Sequence, residues 1–106
     1  MAGDNHMKKK FAFLLMGAHY SPEEHKASFE TENQVSYIYT VRNFEEACEK
    51  LLSLEKEGVG AVELCGAFGE DKAREMIKLT NNKIAIGYVT HSPEQENLFL
   101  SFFSKF

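Results

Sequence analysis

The sequence predicts a small α/β protein in which a mostly parallel sheet of four to five strands is covered by helices. Three observations predict it. Residues 11–18 form a short apolar run, two amphipathic helix patterns alternate with further short β-prone runs, and glycines stand where one pattern gives way to the next. The stretch from Gly58 to Asp71 is the pivot, reading as a buried strand, Ala61 to Cys65, that breaks on Gly66 and Gly69 into a helix start. A chain of 106 residues, 43% hydrophobic and 12% aromatic, supports one core, so residues 7–106 are expected to form a single domain.

Taken in order, Met1 to His6 precede a second methionine and read as a remnant of an expression vector, with Met7 as the native start and His6 outside any site. Phe11 to Ala18 is apolar on both faces, as a strand covered on both sides would be. With Lys8-Lys9-Lys10 before it, the run also imitates a secretory signal. Its eight residues are at the low end of the about 7–15 such segments use, and far below the ~20 that span a bilayer, so the strand reading is taken. Ser21-Pro22-Glu23-Glu24 is a capping box with proline at the first helical position and predicts a helix of one to two turns.

Ala27 to Thr31 and Gln34 to Val41 can pair as a hairpin around Glu32-Asn33, the second arm being much the stronger. Asn43 caps the next helix with Glu46 three residues on; Phe44, Ala47, Cys48, Leu51 and Leu52 follow the i, i+3, i+4, i+7, i+8 rule, and Gly58 stops it. Cys48 is therefore a small core hydrophobe. Strand Ala61 to Cys65, helix Glu70 to Thr80 with Ala73, Met76 and Ile77 inward, the pair Asn81-Asn82, and strand Lys83 to Val89 complete the pattern. Strands alternating with single helices imply parallel pairing through right-handed crossovers, hence a Rossmann-like or flavodoxin-like sandwich.

The tail opens on Ser92-Pro93, another capping box, and predicts a helix in which Leu98, Phe99, Phe102, Phe103 and Phe106 share a face, with Leu100 beyond its edge. Four of the nine phenylalanines fall in the last eight residues. An apolar face of this size on a small domain marks an interface, so a homo-oligomer is expected, a two-fold dimer on base rates. The competing expectation is that the helix lies across its own sheet and completes the core.

Charge excludes several classes. Twelve basic and sixteen acidic residues give −4 with the signs interspersed, whereas a nucleic-acid surface needs a basic stripe. No membrane partner is expected either. Two cysteines do not make a disulfide scaffold, and a reducing, cytoplasmic setting fits them.

Glu63-Leu64-Cys65-Gly66-Ala67-Phe68-Gly69, the opening strand with His19 after it, and the helix start Asn43-Phe44-Glu45-Glu46-Ala47 resemble an uncharacterised family of small prokaryotic α/β proteins, a domain of unknown function. The resemblance covers most of residues 7–91 and lapses after Ser92. It implies the fold and carries no activity with it.

In an open parallel sheet, ligands bind beyond the C-terminal strand ends. His19, Cys65 and His91 fall there from three strands, with Ser21, Arg42 and Thr90 beside them and Glu63 one step earlier on the face of Cys65. Cysteine with histidine supplies a nucleophile and base, and two histidines with cysteine or glutamate supply zinc ligands, but no C-x-x-C or H-E-x-x-H spacing is present. The expectation is a small-molecule pocket lined by His19, Arg42, Glu63, Cys65, Gly66, Phe68, Thr90 and His91, with no cofactor. The alternatives are a non-catalytic homo-oligomeric assembly module and a small thiol- or metal-dependent enzyme using Cys65, His19, His91 or Glu63.

Glu63, a carboxylate in a strand otherwise expected to be buried, is either a pocket group, a bridge to Arg42 or a histidine, or a residue on a thinly covered edge. Gly66-Ala67-Phe68-Gly69 leading into a helix invites a phosphate loop. Glu70 and Asp71 in the first turn oppose it, and a Walker lysine and a third fingerprint glycine are missing. The glycines instead make a tight turn that folds Phe68 over the sheet end.

Overall fold

The computed structural model describes residues 8–104; the vector-remnant reading of Met1 to His6, the start at Met7 and the place of Phe106 on the tail face lie outside them. The elements are β1 (Lys9–Met16), β2 (Ala27–Glu30), β3 (Gln34–Val41), α1 (Phe44–Lys56), β4 (Ala61–Leu64), α2 (Gly69–Leu79), β5 (Ala85–Tyr88), a 3-10 turn (Pro93–Gln95) and α3 (Glu96–Phe103). The sheet has five strands in the order β2-β3-β1-β4-β5, parallel except for β2, which pairs antiparallel with β3.

Local chemistry accounts for most boundaries. Asn43 Oδ1 accepts from the Glu46 N–H at 2.8 Å, and Glu46 reaches back past the cap to accept from the Arg42 N–H at 2.8 Å, so α1 starts where two side chains satisfy orphan donors. Gly58 leaves α1 at φ 91°, a backbone only glycine adopts freely. At the far end of α2, Asn81 and Asn82 both take left-handed backbone, φ 55° and 58°, which asparagine tolerates better than most residues. Two expectations need correction here. Ser21-Pro22-Glu23-Glu24 makes a single turn and no helix, with the His25 N–H bonding the Ser21 carbonyl at 2.8 Å, because the chain must be extended again by Ala27 to pair with β3. Ser92 makes no side-chain cap, and the tail enters its helix through the 3-10 turn.

α1 and α2 pack on each other and lie on one face of the sheet. Handedness explains this: the crossovers β3-α1-β4 and β4-α2-β5 step across the sheet in the same direction, and right-handed crossovers in one direction place their helices on one side. The β1-to-β3 connection runs the opposite way and would cover the second face with a helix. It carries β2 instead. The core is therefore single-sided, with Ala12, Leu14, Val41, Val62 and Leu64 of the sheet buried against Ala47, Leu51, Leu54, Ala73 and Met76 of the helices, and Phe68 closing its end.

The second face follows from alternation and register. Phe29, Ser36, Phe11, Ala61 and Ala85 make one row across it, and Ala27, Ile38, Phe13, Glu63 and Gly87 the next. Phe11, Phe13 and Leu15 are half-buried, Ile38 is 38% exposed and Phe29 62% exposed. The expectation that β1 is covered on both sides is thus corrected. α3 does not lie across the sheet either: its packing neighbour is the 3-10 turn before it, and Leu98, Phe99, Phe102 and Phe103 are 42–68% exposed. The molecule measures 52 × 27 × 27 Å with a radius of gyration of 15.3 Å, against ~13 Å for a compact domain of about 100 residues.

Candidate functional site

The strand order sets where a ligand crevice forms. Chain leaves β1 towards β3 and leaves β4 towards β5, so the connections after these neighbouring strands run apart, which makes their C-terminal ends the topological switch point where open α/β sheets hold their ligands.

On one side of this point is the turn after β1. The Gly17 N–H bonds the Val41 carbonyl at 3.0 Å, and the Tyr20 N–H bonds the Gly17 carbonyl at 3.2 Å, which turns His19 back over Gly17. The fit is close, since a Cβ at Gly17 would stand 2.8 Å from His19 Cε1, so a side chain there would push the His19 ring aside. The His19 and Tyr20 rings lie 4.2 Å apart. On the other side is the turn after β4. The Cys65 N–H donates to the Leu14 carbonyl at 3.0 Å, and Cys65 Sγ accepts from the Met16 N–H at 3.3 Å, pinning the thiol to the end of β1. The Phe68 N–H then bonds the Cys65 carbonyl at 3.1 Å, and Gly69 at φ 78° starts α2. Cys65 is half-buried and free, as is Cys48, whose thiol is pushed up by burial and then by Glu75.

The remaining expected residues are engaged elsewhere. His91 Nε2 bonds Glu96 Oε1 at 2.6 Å and its ring stacks on Phe99 at 4.2 Å, so it follows the tail helix. Glu63 points out of the second face and covers Gly87, where a Cβ would collide with its carboxylate. Arg42 pairs with Glu46 through both Nε, at 2.9 Å, and Nη2, at 2.5 Å; this bond holds the guanidinium above and the carboxyl below their ordinary ranges. The bridge from Arg42 to Glu63 is not made. Thr90 is exposed. Among the described residues no group of three or more His, Cys, Asp or Glu is placed to hold a metal ion, and no helix among them is long and apolar enough to cross a membrane.

An open cleft of about 490 Å³ beside the end of β3 takes in Arg42 and Ser21 but none of His19, Glu63, Cys65 and His91. Its other lining includes Tyr39, Glu46, Glu49 and Lys50. Lys50 Nζ sits 3.8 Å over the Tyr39 ring, and the Tyr39 hydroxyl is pushed up by burial, then by Glu57 and Tyr37. Tyr39, Glu49 and Lys50 were not singled out in the sequence, and Glu46 only as a capping residue, because their meeting depends on where α1 crosses β3. The i, i+4 spacing of Glu46 and Lys50 along α1 was the one visible sign.

Strand order and layering define a small α/β protein with a flavodoxin-like order of its four parallel strands and helices on one face. The chain matches a family of unknown function (DUF6506) over residues 9–104 and belongs to it. The match runs through the tail, which corrects the expectation that the resemblance lapses after Ser92. No curated protein and no solved structure matches the chain.

Proposed function

We propose that this protein binds a small molecule in the crevice between the turns after β1 and β4, with His19 and Cys65 as its polar contacts. What supports the reading is the switch point between β1 and β4, with His19 in the turn that leaves one strand and the free thiol of Cys65 in the turn that leaves the other. Glu63 and His91 leave the contact set, one facing the second side of the sheet and the other held by the tail. Free thiols suit a cytoplasmic setting. The test is a panel of metabolite-sized carboxylates, nucleosides and aldehydes added to ¹⁵N-labelled protein: amide shifts confined to residues 17–20 and 65–69, lost in a His19→Ala, Cys65→Ser variant, support the site. Shifts confined to the Tyr39–Lys50 cleft would move it, and none at millimolar concentration would remove it.

A second reading, self-association as a dimer, is favoured by the exposed phenylalanines of α3, which add nothing to the core of their own chain.

A further inference from the structure

Two apolar surfaces lack a cover among the described residues, and they are complementary in kind. One is the second face of the sheet around Phe11, Phe13, Leu15 and Ile38; the other is the helix α3, standing away from the body on the turn after β5. We propose that α3 of each copy lies on the open sheet face of a second copy, so that two chains exchange tails about a two-fold axis. The proposal rests on the self-association reading above and names the surface it uses.

The occupant is argued from size, count and charge. α3 has eight residues and is ~12 Å long, which spans about two to three strands at ~4.8 Å spacing, enough to cross the strip over β3 and β1. Leu98, Phe99, Phe102 and Phe103 expose 66, 42, 56 and 68% of their surface. With aromatic side chains burying about 150–250 Å² each, one helix would cover ~400 Å²; an equal area of sheet and the two-fold bring the interface to ~1,600 Å², the standard size of a stable complex.

Each copy has one bare face and one uncovered helix, so a dimer satisfies both and the assembly closes with none left over. Glu63 bounds the apolar area on the β4 side, leaving an aromatic and aliphatic strip over β3 and β1 for the helix. A net charge of −4 opposes an anionic membrane as the alternative cover. The family match also extends over the tail, so the helix is part of the shared domain and not an appendage to it.

The experiment uses the full chain at ten micromolar in light scattering after gel filtration. Twice the chain mass of 12.1 kDa is expected. The variant Phe99→Ser, Phe103→Ser, whose two side chains contribute nothing to the buried core, should keep its far-ultraviolet circular dichroism and run at half the wild-type mass. Mixing a Phe13→Cys chain with a Phe102→Cys chain, both also Cys48→Ala and Cys65→Ala, should give a disulfide-linked heterodimer under mild oxidation. A monomeric wild type would overturn the self-association reading and the exchange together, and binding of that monomer to anionic vesicles would give the tail to a membrane. A dimer that survives the tail variant, or a Phe13→Cys, Phe102→Cys chain that links within itself, would overturn the exchange while leaving self-association standing.

Discussion

Cys48 and Cys65 carry the same group in different surroundings, and their chemistry should differ accordingly. Cys48 packs under α1 against the core, where burial and the nearby Glu75 hold its thiol protonated. Cys65 sits half-buried in the turn after β4, its sulfur accepting from one backbone N–H. A thiol reagent at pH 7.5 is therefore expected to modify Cys65 about tenfold faster than Cys48, read by peptide mapping at short times. Equal and slow labelling would take nucleophilic chemistry away from the crevice. The sequence marked Cys48 correctly as core because its helical spacing is a local property. It could not assign Glu63, whose meaning depends on whether any helix covers its face, nor His91, which is captured by Glu96 five residues later at the start of the tail helix.

At the scale of the element, the start of α1 is built from three residues acting together. Asn43 caps, Glu46 answers, and Arg42 grips the carboxylate from the other side. The Glu46 carboxyl is lowered first by the side-chain bond from Arg42 and then by the Arg42 backbone N–H. A lowered carboxyl stabilises the fold at pH above its unfolded range and loses that contribution as pH falls through the folded value. Glu46→Gln should thus melt below wild type at pH 7, and the gap in melting temperature should close below about pH 4. Asn43→Ala should cost about 1 kcal/mol at both pH values, since its cap bond does not titrate. A gap for Glu46→Gln that persists at low pH would show that packing, and not charge, is what the glutamate supplies.

Elements of this kind were legible because caps, glycines and apolar spacing act over a few neighbouring residues. The turn at Ser21 misled for the opposite reason: its signals match a helix start, but pairing of Ala27 with β3 leaves no room for one.

For the whole molecule, the parallel sheet was legible from alternation, while the single-sided layering was not. A strand apolar on both faces reads as covered, and Phe11, Phe13 and Leu15 give no sign of whether the cover comes from the same chain. The deciding fact is a missing helix between β1 and β3, where a weak hairpin arm stands in its place.

The central position of β1 has a consequence for how the chain reaches this state. Its two neighbours arrive at very different times along the polypeptide: Lys9 meets Gln34 of β3, whereas Phe11 must wait for Ala61 of β4, fifty residues on. The first half, β1 to α1, gathers through nearer contacts and holds one unsatisfied strand edge until β4 docks, and closing that long loop is the slow, entropically costly step. Val62→Ala in β4 should therefore express most of its lost stability as slower refolding in stopped-flow fluorescence of the tyrosines. An unchanged refolding rate with faster unfolding would instead put β4 docking after the barrier, and the exposed edge of the half-built sheet would then be closed too late to limit misassociation during synthesis.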